Sequence, residues 1–208
     1  MQKQTPLEER LNAWSHGIGA ALGVAGLVLL IVCLQKGVAY ALFSVIVYGI
    51  SIIVLFLAST FYHAVTNDRR KHYFRIIDHI SIYLLIAGTY TPVLLIILPD
   101  SHGWILFWVV WGIAAFGVIL KLFFTGRFET FSTLLYLVMG WLIIFDFSKL
   151  ADRMETNGLY LLFAGGAFYT LGILFYAIEK IPFNHVIWHA FVLGGAICHF
   201  LMIYYFVI

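Results

Sequence analysis

Histidines and carboxylates near the ends of apolar segments carry the chemistry this sequence could do. His185 and His189 follow Lys180-Ile181-Pro182-Phe183-Asn184, where Pro182 breaks the preceding helix and Asn184 can cap the next. A spacing of four puts both imidazoles on one helical face, about 5 to 6 Å apart at Cβ, as two ligands of one ion require. His63 closes an earlier apolar run, Ser59-Thr60-Phe61-Tyr62-His63. Counting membrane crossings brings the end of that run and the start of the His185 segment to the same face. Neutral imidazole nitrogens suit zinc, and three of them leave a fourth position for water, the composition of an open catalytic site. The alternative is three interfacial histidines hydrogen-bonded to lipid headgroups.

Asp78 opens another apolar segment at that face. A carboxylate there needs a partner, and two are open to it. It can pair with Arg75, or it can hold the water on the ion and act as general base and acid. Ser59 lies one helical turn before His63 and can donate to that water or to Asp78; it can equally satisfy a carbonyl of its own helix. The remaining histidines separate by depth and side. His199 is ten residues past His189, about 15 Å along a helix, too far to share the ion. His16 is expected in a supporting or packing role, His72 in solvent and His102 on the opposite side. His79 points about 100° away from Asp78 around their helix. Asp146, near the far end of its segment, is expected to reach water.

The elements that must position these groups are set by composition. Of 208 residues, 63% are apolar and only 11% charged, 12 basic and 10 acidic side chains. So few charges cannot cover a water-soluble domain of this size. Apolar residues run unbroken instead of alternating, which excludes a porin-like barrel and favours an all-α bundle in a membrane. One crossing takes roughly 20 apolar residues. Seven segments satisfy this, near 14–34, 41–61, 79–98, 103–121, 131–147, 159–178 and 185–207, with edges good to about 2 to 4 residues. They form a single domain over residues 1–208, preceded by a short interfacial helix at 5–13 that Thr5-Pro6-Leu7-Glu8 opens as a capping box.

Short basic loops stay in the cytoplasm. Lys3, Arg10, Arg69, Arg70, Lys71, Arg75, Lys121, Arg127 and Lys180 fall on one face, against Lys36, Lys149 and Arg153 on the other. The N-terminus is therefore expected inside and the C-terminus outside, in a multi-pass protein of the inner cell membrane. Glu8 and Glu9 make the lead-in unlike a signal peptide, so the first segment is expected to be retained. A net charge of +2 gives no reason to expect nucleic acid, and Arg69 to Arg75 read as a topology anchor at anionic headgroups. Cys33 and Cys198 sit in apolar runs as small hydrophobes. Pro92 should kink the third segment. Gly19-x-x-x-Gly23, Gly165-Gly166 and Gly194-Gly195 offer surfaces for close helix approach. Trp14, Trp188, Trp104, Tyr204 and Tyr205 fit aromatic belts.

The ordered set Glu9-Arg10-Leu11-Asn12-Ala13-Trp14-Ser15-His16-Gly17, Ser59-x-x-x-His63, Asp78 with Ala87-Gly88-Thr89-Tyr90-Thr91-Pro92, and His185-x-x-x-His189 with His199 resembles the bacterial hemolysin III family, within the wider progestin and adipoQ receptor group. The likeness runs over essentially the whole chain. It implies a seven-helix protein with a cytoplasmic N-terminus and zinc near the inner leaflet, held by His63, His185 and His189 with Asp78 and Ser59 beside the bound water. Receptor members of the group resemble alkaline ceramidases, which implies hydrolysis of a lipid amide. The long N-terminal extension of those members has no counterpart here, which argues against hormone reception.

Two functions from different classes follow. One is zinc-dependent hydrolysis of an acyl amide or ester, with membrane lipids as partners and substrates. The other is a hemolysin, pore or membrane-homeostasis sensor in which the metal is structural.

Overall fold

The computed structural model describes residues 4–35, 37–178 and 180–208. Lys3 and Lys36, two members of the charge count, lie outside the described residues. Eight α-helices and no strand occur among the described residues: α1 (Pro6–Cys33), α2 (Ala41–Ala64), α3 (Asp68–Pro92), α4 (Gly103–Phe124), α5 (Glu129–Gly140), α6 (Phe147–Arg153), α7 (Thr156–Ala177) and α8 (Asn184–Phe206). They compose seven segments long and apolar enough to cross a membrane, as the sequence predicts, with α5 and α6 sharing the fifth. The chain is a multi-pass membrane protein.

Segment ends differ from expectation in three places, each with a local cause. The capping box at Thr5 forms: its hydroxyl accepts from the Glu8 N–H at 3.3 Å and the Glu8 carboxylate accepts from the Thr5 N–H at 2.8 Å. The helix it opens does not stop near residue 13 but runs 28 residues to Cys33. No Pro or Gly interrupts residues 7–16, and Asn12 bonds the Gln4 side chain at 2.8 Å instead of a competing backbone group. At 1.5 Å per residue α1 is about 42 Å long, so its first turns project past a hydrocarbon core of about 30 Å.

Helix α3 likewise starts early, at Asp68, because Asn67 caps it by accepting from the Arg70 N–H at 3.1 Å. It passes through Pro92 and then widens into a π-helical turn over Val93–Ile97. Proline supplies no N–H, and the wider turn re-pairs the carbonyls that a regular helix would leave.

The fifth segment is the third case. It breaks after Gly140, continues as a 3₁₀ turn over Leu142–Asp146 and resumes as α6. Broken backbone inside a bilayer must find internal partners. Tyr90 supplies them: its hydroxyl donates to the Gly140 carbonyl at 2.9 Å and accepts from the Ile143 N–H at 2.9 Å.

Helices pair in the order α1 with α2, α2 with α3, α3 with α4 and α7 with α8, and α1 also packs on α8. The small surfaces do the close packing expected of them. A Cβ on Gly19 would lie 2.8 Å from the Phe56 ring, and one on Gly195 the same distance from Tyr169. Exposed Ile105, Trp108 and Phe123 face outward, where lipid tails replace water as neighbours.

At the face away from the N-terminus, Asp146 does not reach water as expected. It is 4% exposed and accepts from Ser101 Oγ at 2.8 Å and the His102 main-chain N–H at 3.0 Å, with His102 Nδ1 3.3 Å away. The 3₁₀ turn carries it under the α3–α4 connection, and the carboxylate ties the two together.

Candidate metal centre

Two helices deliver the three histidines. Helix α2 ends with Ser59 and His63 buried on one face, one turn apart. Helix α8 opens with His185 and His189 buried on one face. Asn184 is its first residue and not its cap: Phe183, at φ 57°, holds the capping position, while Asn184 Nδ2 donates to the Phe175 carbonyl of α7 at 3.1 Å. That bond ties the first turn of α8, and so His185, to its neighbour.

The three imidazoles converge. Ring centroids are 5.2 Å apart for His63 and His185, 4.8 Å for His63 and His189, and 4.7 Å for His185 and His189. One nitrogen from each lies within 4.8 Å of the others. Zinc–nitrogen bonds are about 2.0 to 2.1 Å, so small rotations of the rings bring all three onto one ion. His63 Nε2 and His189 Nδ1 are buried and have no hydrogen-bond partner. Unpaired nitrogens in an apolar interior are costly, and a shared cation satisfies both at once. The donor set and its geometry therefore fit zinc.

His16, left in a supporting role by the sequence, stacks on His189 with centroids 3.7 Å apart and planes 18° from parallel. A group the sequence did not single out for the site stands behind His63. Glu9 of α1 places Oε2 2.7 Å from His63 Nδ1, while its other oxygen accepts from Lys71 Nζ at 2.8 Å. Lys71 also donates to the Tyr62 carbonyl at 3.2 Å and lies over the Tyr62 ring. The available signal was periodicity: Glu9, Asn12 and His16 are spaced three and four apart, a polar stripe entering an apolar helix.

Asp78 and Ser59 line one cavity of about 140 Å³ together with His185 and His189. The Ser59 hydroxyl is within hydrogen-bonding reach of the Asp78 carboxyl, and Arg75 is close enough to act on it electrostatically. Arg75 itself donates to Glu129 at 3.2 Å. His79, about 100° around the helix from Asp78, is 6% exposed, lines the same cavity and places Nδ1 3.6 Å from Glu129 Oε2. Glu129 opens α5 and also accepts from the buried Lys121 of α4 at 2.6 Å, so one carboxylate joins α3, α4 and α5. Elsewhere the cavity walls are largely apolar, with Leu55, Ile82, Leu85, Ile86 and Val192 prominent and Thr89, Thr133 and Thr170 among them. It reaches His199, whose Nε2 pairs with the Leu162 carbonyl at 3.2 Å, and a second space of about 50 Å³ adjoins it there. His199 thus stays apart from the three converging imidazoles, as its depth requires. His72 is exposed and His102 lies at the opposite face with Asp146.

Comparison with known proteins gives a consistent pattern. A family described as "Haemolysin-III related" matches residues 4–200. The chain is 46% identical to a protein named Hemolysin-3 from Bacillus cereus over 202 residues, covering 97% of this chain and 92% of the relative. It is 44% identical to a Hemolysin-3 homolog from Bacillus subtilis over 200 residues, covering 96% and 94%. It is 30% identical to the human monocyte to macrophage differentiation factor over 213 residues, covering 97% and 85%.

Proposed function

The chain belongs to the haemolysin-III related family, and on that footing we propose that it is a zinc-dependent hydrolase of amide or ester bonds in membrane lipids. The observation that carries the reading is the convergence of three buried imidazoles, two of which, His185 and His189, line one largely apolar cavity together with Asp78 and Ser59. The basic residues gathered at that end orient it toward the cytoplasm, which sets the chemistry at the inner leaflet of the cell membrane.

His63, His185 and His189 would hold the ion. Zinc bound there would supply an electrophile for the scissile carbonyl and activate a water for attack. Asp78 is placed to take a proton from an attacking water and to return it to the departing amine or alcohol, so that one water would be consumed and a fatty acid and a free amine or alcohol formed. Ser59 keeps the Asp78 carboxyl in place through its hydroxyl. Leu55, Ile82, Ile86 and Val192 take the acyl chain and exclude competing water.

A second reading comes from the name Hemolysin-3 borne by relatives at 46% and 44% identity: membrane damage or sensing, with the metal structural. A lipid-extract assay on purified, zinc-loaded protein separates the two, with released fatty acid read by mass spectrometry. Release by the native protein and its loss in Asp78→Asn, with zinc retained, supports the hydrolase. Zinc retained by both with no lipid hydrolysed by either supports the second reading.

A further inference from the structure

Glu9 is remote in sequence from every proposed ligand, yet its carboxylate meets His63 Nδ1 at 2.7 Å. We propose that Glu9 is a positioning residue of the metal centre: it accepts the Nδ1 proton of His63, fixes that tautomer and the ring orientation, and so presents Nε2 as the ligand atom. The inference rests on the zinc reading above but not on catalysis.

Three observations converge on it. First, His63 Nε2 is the buried, unpartnered nitrogen of that ring, which is the arrangement expected when Nδ1 is engaged by a carboxylate and Nε2 is kept for a cation. Second, the carboxylate is itself held from the other side, by Lys71 at 2.8 Å on Oε1, so each oxygen has one task and the carboxylate cannot rotate without breaking a charged contact. Third, the same face of α1 supports the second helix of the centre as well. Asn12 is fully buried with its carbonyl near the His189 ring, and His16 stacks on that ring. The face Glu9, Asn12 and His16 therefore braces ligands from both α2 and α8, although α1 supplies none. This accounts for α1 continuing as helix through residue 9: an interfacial helix that ended at 13 and turned away would leave His63 without its acceptor.

An acceptor of this kind changes metal affinity by about 10-fold to 100-fold. The test is zinc affinity, by competition with a chromophoric chelator, and the visible d–d spectrum of the cobalt-loaded protein, for native chain, Glu9→Gln, Glu9→Ala and Lys71→Met. Glu9→Gln is nearly isosteric, which guards against misfolding. Expected are a roughly 10-fold weaker zinc site in Glu9→Gln, a larger loss in Glu9→Ala, a smaller one in Lys71→Met, and a shifted cobalt spectrum in both Glu9 variants. If Glu9 only anchors α1 through its ion pair, Lys71→Met and Glu9→Gln will lose affinity equally and the cobalt spectrum will stay put. That result overturns the proposal, as does native affinity in both Glu9 variants. A native chain that binds neither zinc nor cobalt overturns the metal centre itself, a distinguishable failure.

Discussion

His16 and His189 lie face to face, ring centroids 3.7 Å apart and planes 18° from parallel, though one opens the first membrane segment and the other the last. Stacking at this distance fixes the rotation of the His189 ring while leaving its nitrogens free for other work. It predicts that shape matters more than chemistry at position 16. His16→Phe, which keeps a flat ring, should retain zinc, whereas His16→Ala should weaken the site and lower stability by on the order of 2 kcal/mol through the void it leaves. Zinc content and thermal unfolding in detergent check both. Equal zinc loss in the two variants would mean that an imidazole nitrogen, not the ring, is what His189 needs.

Removing a ligand should act more severely than disturbing its support. In His63→Ala, and separately in His189→Ala, zinc should fall to background after dialysis, because two histidines and water hold the ion far less well than three. Elemental analysis of each purified variant reads this directly. Full zinc in either variant would strike that residue from the ligand set.

The deep end of the cavity depends on the absence of a side chain. A Cβ on Gly165 would overlap the His199 ring, so α7 and α8 approach closely there only because position 165 is glycine. Gly165→Ala should destabilise the protein by about 1 to 3 kcal/mol by forcing the helices apart or His199 out of its bond to Leu162. The readout is thermal unfolding compared with Gly166→Ala, whose Cβ would meet only the Trp141 ring at 3.8 Å and should be nearly silent.

Asp146 provides the control at the opposite face. Asp146→Ala strands the Ser101 hydroxyl and the His102 N–H, and a loss of about 1 to 3 kcal/mol is expected with zinc content unchanged. Thermal unfolding and metal analysis on the same sample separate the effects. Zinc loss in this variant would reveal coupling across the full depth of the bundle.

Much of the fold was legible because its cause is one-dimensional. A membrane interior demands about 20 consecutive apolar residues per crossing, and that demand is written in the chain as length and composition. The His185–His189 pair was legible for a similar reason, since a spacing of four in a helix is a local rule. His63 was joined to them by counting crossings, a topological argument that needs no side-chain coordinates. The capping box at Thr5 and the tight approaches at Gly19 and Gly195 were also readable from residue type and spacing.

What stayed hidden depended on rotation about helix axes and on contacts between distant segments. The inward face of α1, which sets Glu9 on His63 and His16 on His189, is chosen by packing against α2 and α8 together. Asp146 was misjudged for the same reason: it looked free to reach water from its own segment, and it found its partners on the α3–α4 connection; the nearness of His79 to Glu129 was hidden in the same way. The break after Gly140 was invisible because Tyr90, fifty residues earlier, is what makes it tolerable. Sequence by itself determined that this is a helical membrane protein with three histidines at one depth, because hydrophobic burial and helical period act along the chain. Only the tertiary structure decided which nitrogens face one another and which carboxylate meets His63, because those choices are made where separate helices compete for the same buried polar atoms.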